Sequence, residues 1–198
     1  DWISFFILNK NGKKLISCSF DKTVRIWDVP GWDCSKSIKA HKSWIKKIKL
    51  IPEEDKVISI GQEGKIKVWD INTGKNVMLL DNGSKEVADV DLYEDGTTIV
   101  TCGYDKFIKV WDLKKGCQIK TFEDDSLSFE KVLINKNLVF ATSSDNKILM
   151  WHIDKETSTV LGKHDKTVTS LKILETKNLL ITGSADSTIK LFDYTKLI

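Results

Sequence analysis

The pentapeptide "IKVWD" is written twice in this chain, at residues 66–70 and 108–112, with the copies 42 residues apart. A short run recurring at that distance marks a repeated structural unit, and a repeat limits the available folds more sharply than composition does. Aligning on it brings out five related stretches: "SCSFDKTVRIWD" (17–28), "SIGQEGKIKVWD" (59–70), "TCGYDKFIKVWD" (101–112), "ATSSDNKILMWH" (141–152) and "TGSADSTIKLFD" (182–193). Their closing aromatics are Trp27, Trp69, Trp111, Trp151 and Phe192, spaced by 42, 42, 40 and 41 residues.

Each unit reads as a series of short extended runs. The first places apolar residues at positions one, four and six: Ile3, Phe6 and Leu8; Ile45, Ile48 and Leu50; Val87, Val90 and Leu92; Phe129, Val132 and Ile134; Val168, Leu171 and Ile173. A turn follows, in which Gly12 and Gly96 suit a positive φ. The second run is "LISCS", "VISIG", "IVTCG", "VFATS" or "LITGS". The next turn carries an acid, namely Asp21, Glu63, Asp105, Asp145 or Asp186, and the third run ends on the closing aromatic. A weaker fourth run precedes the next unit, as in "KSIKA" and "NVMLL". No segment of ten or more residues carries a helical apolar stripe. The expectation is an all-β chain of about five four-stranded antiparallel units, at approximately 1–40, 41–82, 83–124, 125–163 and 164–198.

Unit length, strand order and the terminal Trp-Asp resemble the WD-repeat family, whose units of roughly 40–45 residues build the four-stranded blades of a β-propeller. In that family a His before the first strand joins the turn acid, a second-strand Ser or Thr and the Trp in a buried hydrogen-bonded set. The resemblance carries those roles to His41, Glu63 and Trp69 in unit two, and to His164, Thr182, Ser184 and Asp186 in unit five. His41 and His164 each lie 22 residues before the acid of their unit. The His position holds Gly83 in unit three and Asp125 in unit four, and Phe192 removes the indole donor from unit five. Those blades are expected to lean more on packing than on polar bonds.

Both ends fall inside the repeat grammar, since Ile3 already opens a first strand and "DYTKLI" stands where a fourth strand should begin. The chain therefore reads as a single partial propeller, about five blades of a seven-bladed ring, with a closed five-bladed ring as the alternative.

Chemistry is harder to find. There is no G-x-S-x-G, H-E-x-x-H or phosphate-cradling loop, and Cys18, Cys34, Cys102 and Cys117 show no metal-ligand spacing with His41, His152 and His164. No enzyme, metal or cofactor is expected. No run approaches the length of a membrane span, Asp1-Trp2-Ile3 does not read as the start of a signal peptide, and the cysteine pattern is expected to leave free thiols, which suit a reducing compartment. The expected setting is intracellular, cytoplasmic or nuclear.

Function is sought where units differ. Two positions vary freely and should open on one face of the ring. One precedes the first core residue (Trp2, Trp44, Glu86, Ser128, Thr167) and the other precedes the turn acid (Phe20, Gln62, Tyr104, Ser144, Ala185). Trp2, Phe20, Trp44, Gln62, Glu86 and Tyr104 form the candidate partner site, either docking a protein or packing in part against the next blade. Trp32 is a weaker candidate on the opposite face. Net charge is only +3, and Arg25 is the single arginine among 31 basic residues, which argues against bidentate reading of nucleic acid. Lys46, Lys47 and Lys49 could still meet phosphates. The leading expectation is a non-catalytic scaffold that binds other proteins in a complex. The alternative is an RNA-associated assembly factor of a ribonucleoprotein particle, in ribosome biogenesis or splicing, using those lysines.

Overall fold

The computed structural model describes residues 1–51, 55–83, 85–125, 128–155 and 157–195. Their strands form five separate antiparallel sheets, met in chain order. Blade 1 holds β1 (Ile3–Leu8), β2 (Lys14–Ser19), β3 (Thr23–Asp28) and β4 (Asp33–Lys39). Blade 2 holds β5 (Ile45–Ile51), β6 (Lys56–Gly61), β7 (Lys65–Asp70) and β8 (Asn76–Asp81). Blade 3 holds β9 (Val87–Leu92), β10 (Thr98–Gly103), β11 (Phe107–Asp112) and β12 (Cys117–Glu123). Blade 4 holds β13 (Phe129–Asn135), β14 (Leu138–Ser143), β15 (Lys147–His152) and β16 (Ser158–Lys163). Blade 5 has three strands, β17 (Val168–Leu174), β18 (Leu179–Ser184) and β19 (Ile189–Asp193).

The middle strands read as nearly unbroken apolar runs because both sheet faces are covered. Odd and even residues point to opposite sides, and each side meets a different neighbour. Ile16, Cys18, Val24 and Ile26 of blade 1 pack on Ile45, Ile48, Val57 and Trp69 of blade 2. The same pairing of trailing and leading faces recurs between blades 2 and 3, 3 and 4, and 4 and 5. Burying each Ile or Val contributes about 1.5–3 kcal/mol, so these four interfaces hold the sheets together. At the two end faces the equivalent residues are uncovered: Phe6 is 64% exposed where its counterpart Ile48 is 0%, and Ile189 is 71% exposed where Val24 is 0%.

The first strand of each blade lies innermost, and neighbouring first strands touch in order from β1 to β17. Phe5, Lys47, Asp89, Lys131 and Ser170, one from each blade, line a common central hollow. The one–four–six spacing now has its cause. Every first strand shifts register against the second near its start, between Ile3 and Phe5, Ile45 and Lys47, Phe129 and Lys131, and Val168 and Ser170, and opposite Cys102–Gly103 in blade 3. A bulge inserts one residue after position one, so strict alternation resumes only at position four.

The turn after the second strand is also uniform. The residue following the acid takes a positive φ in all five blades: Lys22, Gly64, Lys106, Asn146 and Ser187. In blades 1, 3 and 5 the backbone N–H two residues on donates to the aspartate, Thr23 to Asp21 (2.9 Å), Phe107 to Asp105 (3.2 Å) and Thr188 to Asp186 (2.9 Å). This side-chain clasp supports the left-handed residue between them. Blade 2 substitutes the longer Glu63 and follows it with Gly64, for which left-handed geometry carries no steric cost. A Cβ at Gly64 would lie 2.2 Å from the Gly83 carbonyl oxygen, so the position has no room for another residue.

Candidate functional site

The two variable positions are held together by one backbone bond that recurs in every blade. The N–H of Phe20 donates to the Trp2 carbonyl (3.0 Å), Gln62 to Trp44 (2.9 Å), Tyr104 to Glu86 (3.1 Å), Ser144 to Ser128 (2.9 Å) and Ala185 to Thr167 (2.9 Å). The main chain alone makes this bond, so the fold fixes where these residues stand and leaves their side chains free. Exposed positions on a rigid scaffold that differ from unit to unit are where specificity is built.

Side chains then link adjacent blades. Phe20 stacks on Trp44 with ring centroids 4.9 Å apart and planes at 17°. Gln62 Nε2 donates to Glu86 Oε2 (3.1 Å), and Lys46 Nζ lies 2.7 Å from Glu86 Oε1. The second variable residue of one blade thus meets the first of the next, twice in succession. Substantial aromatic surface stays open: Trp2 is 79% exposed, Trp44 45% and Tyr104 46%. Of the six rim residues, Phe20, Gln62 and Glu86 are half-buried, each against a residue of the adjacent blade. Trp32 is exposed, with a positive φ, in the turn between β3 and β4.

The lysines of β5 stand in a different setting. Lys47 Nζ lies 2.5 Å from Asp89 Oδ1, and Lys49 Nζ 2.6 Å from Asp91 Oδ1. The second oxygens of these aspartates accept the backbone N–H of Val132 (3.2 Å) and Ile134 (3.0 Å) in blade 4. Asp89 and Asp91 are buried, so blade 3 clamps the inner strands on both sides of it through charge-assisted bonds. Lys46, Lys47 and Lys49 are all ion-paired inside the protein, and a phosphate would have to compete with a carboxylate at each.

The predicted polar set of blade 2 comes together as a directional relay. Trp69 Nε1–H donates to Ser59 Oγ (2.9 Å), Ser59 Oγ lies 2.7 Å from His41 Nε2, and His41 Nδ1 lies 2.7 Å from Glu63 Oε1. A carboxylate facing Nδ1 accepts a hydrogen bond from Nδ1–H, so the ring keeps its proton there and Nε2 accepts from Ser59; every donor then has an acceptor. Burial lowers the His41 pKa, although Glu63 pulls it upward, so the ring is neutral near pH 7. Glu63 is half-buried, which opposes its ionised form, but hydrogen bonds led by Ser43 hold its pKa below the usual value. Ser59, which the sequence reading did not single out, is the hub. Gly61 makes room for the relay: a Cβ there would lie 2.3 Å from His41 Nδ1 and 2.4 Å from Glu63 Oε2.

In blade 5, His164 Nδ1 lies 2.8 Å from Asp186 Oδ2 and Nε2 lies 2.7 Å from Thr182 Oγ1, while Ser184 Oγ accepts the Asp186 N–H (3.1 Å). Bonds from Thr188, then from His164 and the backbone, lower the Asp186 pKa. The Phe192 ring occupies the space above Gly162 of β16, where a Cβ would lie 2.5 Å from Cε1. Blade 3 corrects one expectation. It lacks the His but not a polar set, because Asn82 Nδ2 donates to Asp105 Oδ2 (3.1 Å) and Lys109 Nζ reaches the same oxygen (2.5 Å). Asn82 sits one residue before the aligned position, so counting 22 residues back from the acid misses it.

The remaining chemistry-bearing groups are quiet. All four cysteines are free, and burial pushes the Cys18 thiol up to about 11 and raises that of Cys102, which keeps both protonated. Among the described residues no group of three or more His, Cys, Asp or Glu is placed to hold a metal ion, and no helix is long and apolar enough to cross a membrane.

Comparison with known proteins agrees with this architecture. The family model described as "WD domain, G-beta repeat" matches residues 1–28, 32–70, 74–112 and 155–193, well over half of the chain. The match at 32–70 joins β4 to β5, β6 and β7, so the sequence repeat is offset from the sheet by one strand. Residues 113–154 fall outside the matches, and there Ala141 replaces the second-strand hydroxyl and His152 the Asp of Trp-Asp. A similar curated protein is the nuclear distribution protein PAC1 of Coccidioides posadasii (strain C735), 42% identical over 43 residues. That stretch is 22% of this chain and only 9% of PAC1. With five antiparallel sheets in repeat order and matches across four of the repeats, the chain belongs to the WD-repeat family.

Proposed function

We propose that this protein is a non-catalytic scaffold that binds other proteins through the rim of blades 1 to 3, at Trp2, Phe20, Trp44, Gln62, Glu86 and Tyr104. One observation carries the reading. At the two positions whose placement the backbone fixes in every blade, the first three blades set large exposed aromatics, whereas blades 4 and 5 set Ser128, Ser144, Thr167 and Ala185. Exposed Trp and Tyr in a cluster are the side chains that dominate protein interfaces. The two histidines with acid partners are tied into internal relays, which supports a structural role for them. The uncovered apolar faces of blades 1 and 5 suit further blades of a seven-bladed ring, and the free thiols suit an intracellular setting. A ribonucleoprotein role through Lys46, Lys47 and Lys49 has weaker support, because all three are paired with carboxylates.

The test is affinity for a captured partner protein, measured for the wild type and for a Trp44→Ala/Tyr104→Ala variant with an unchanged circular dichroism spectrum. Loss of about 2 kcal/mol or more of binding is expected. Unchanged affinity in a folded variant overturns the reading.

A further inference from the structure

The rim of the first two blades has a chemistry of its own. Phe20, Trp44, Lys22, Lys39 and His41 line one hollow between blade 1 and blade 2. Phe20 lies against Trp44, and the rest of Trp44 is open. Lys22 and Lys39 are exposed, and neither is ion-paired among the described residues. Lys42, immediately after His41, is exposed and likewise unpaired among them. Two acids share the hollow, Asp1 and Asp21. Asp21 is already engaged, with Arg25 Nη2 at 3.0 Å and Thr23 Oγ1 at 2.6 Å. His41 is neutral for the reasons given above and adds no charge. The next cleft along the ring is closed on itself, since Gln62, Glu86 and Lys46 bond to one another.

We propose that the cleft between blades 1 and 2 takes an acidic segment of a partner protein, with one apolar side chain of that segment seated on the exposed face of Trp44. The inference rests on the rim being the partner site and adds the chemistry of what binds there. The stacked pair offers a flat, rigid apolar platform that loses little conformational entropy on binding. The lysines beside it are compact charges on flexible stems, which accept carboxylates at varied spacing and give no bidentate fork for one phosphate. The only arginine nearby is held by Asp21. Complementary charge at the edge of an apolar anchor raises the encounter rate and disfavours basic competitors. A run of Asp and Glu around one Leu or Phe satisfies both halves of the cleft.

The experiment uses fluorescence polarisation of labelled ten-residue peptides with the intact protein. The probe is a peptide of Asp and Glu with a central Leu. Its controls carry Lys at every acidic position, or Ser in place of the Leu. The acidic Leu peptide is expected to bind, the Lys peptide to fail, and the Ser peptide to bind about tenfold more weakly. Trp44→Ala is expected to weaken the acidic peptide about tenfold, and Lys22→Glu/Lys39→Glu at least as much. Affinity should fall as salt rises from about 50 mM to about 300 mM. The lysine variant alters only exposed side chains, so it keeps the test valid if Trp44→Ala folds poorly. Equal binding of acidic and basic peptides, affinity untouched by both variants, or tighter binding of a single-stranded RNA probe each overturns the proposal. If the acidic peptide never binds while Trp44→Ala/Tyr104→Ala still releases a captured partner, the acidic preference falls and the rim site stands. If neither responds, both fall.

Discussion

The lysines of β5 and the lysines of the first rim cleft are the same residue type in the same two blades, yet they do opposite things. Lys47 and Lys49 point at Asp89 and Asp91, each 42 residues further on, which is one repeat. Inner strands of successive blades run side by side, so equivalent positions face one another, and Lys in one unit opposite Asp in the next makes an internal ion pair. Lys22 and Lys39 belong to turn and strand-end positions where no equivalent acid is brought opposite. A basic run in a repeat protein therefore has to be judged against the aligned residues of the neighbouring unit. Read alone, "IKKIKL" looks like an anionic-ligand patch; read beside "VADVDL", it is a strut.

If the channel is structure and the rim is function, substitutions in the two places must have opposite effects. Asp89→Ala strands the Lys47 ammonium and the Val132 N–H, and should cost about 3 kcal/mol of stability in chemical denaturation while leaving partner affinity unchanged in the folded fraction. A cost below about 1 kcal/mol would mean that the pair is ornamental and Lys47 is free for a ligand. Ser59→Ala removes the hub of the blade 2 relay and leaves Trp69 Nε1 and His41 Nε2 without partners, for a loss of about 2–3 kcal/mol. Thr101→Ala, which orphans only the Trp111 indole N–H (2.9 Å), should cost less than Ser59→Ala.

Acid should loosen blade 2 ahead of the rim. The folded pKa of His41 lies below its ordinary 6.5, so the fold favours the neutral ring. Its contribution is complete above about pH 6.5 and is lost as pH falls below that value; Glu63, lowered from 4.5, adds a second loss below that point. Melting temperature followed from neutral to mildly acidic pH should decline, and His41→Gln should flatten the upper part of that decline. A melting temperature that rises on acidification has the wrong sign. The smallest effect on stability belongs to Lys22→Glu/Lys39→Glu, expected within about 0.5 kcal/mol of wild type in the same denaturation assay.

The repeat, the four-run grammar and the closing aromatics are open to sequence reading because they are set by the burial that recurs at each blade-to-blade interface. The one–four–six spacing was visible too, but the bulge behind it was not, since an inserted residue and an irregular alternation look alike in one dimension. Other features were hidden because one residue compensates for another in a different place. Glu63 fits only because residue 61 is glycine, and Phe192 fits beside Gly162, one blade away. Asn82 takes over from a missing His at a shifted position, so alignment by fixed spacing passes over it. The two rim positions could be found by their variability. That one backbone bond joins them in every blade could not, because main-chain atoms leave no mark in side-chain identity.

The central claim is that the rim of blades 1 to 3 binds while the channel holds the ring together. The most direct measurement sets partner affinity beside melting temperature for Trp44→Ala/Tyr104→Ala. Affinity should fall about thirtyfold or more, with the melting temperature within roughly 4 °C of wild type. Wild-type affinity in that folded variant would contradict the claim, because the open aromatic surface would then have no part in holding a partner.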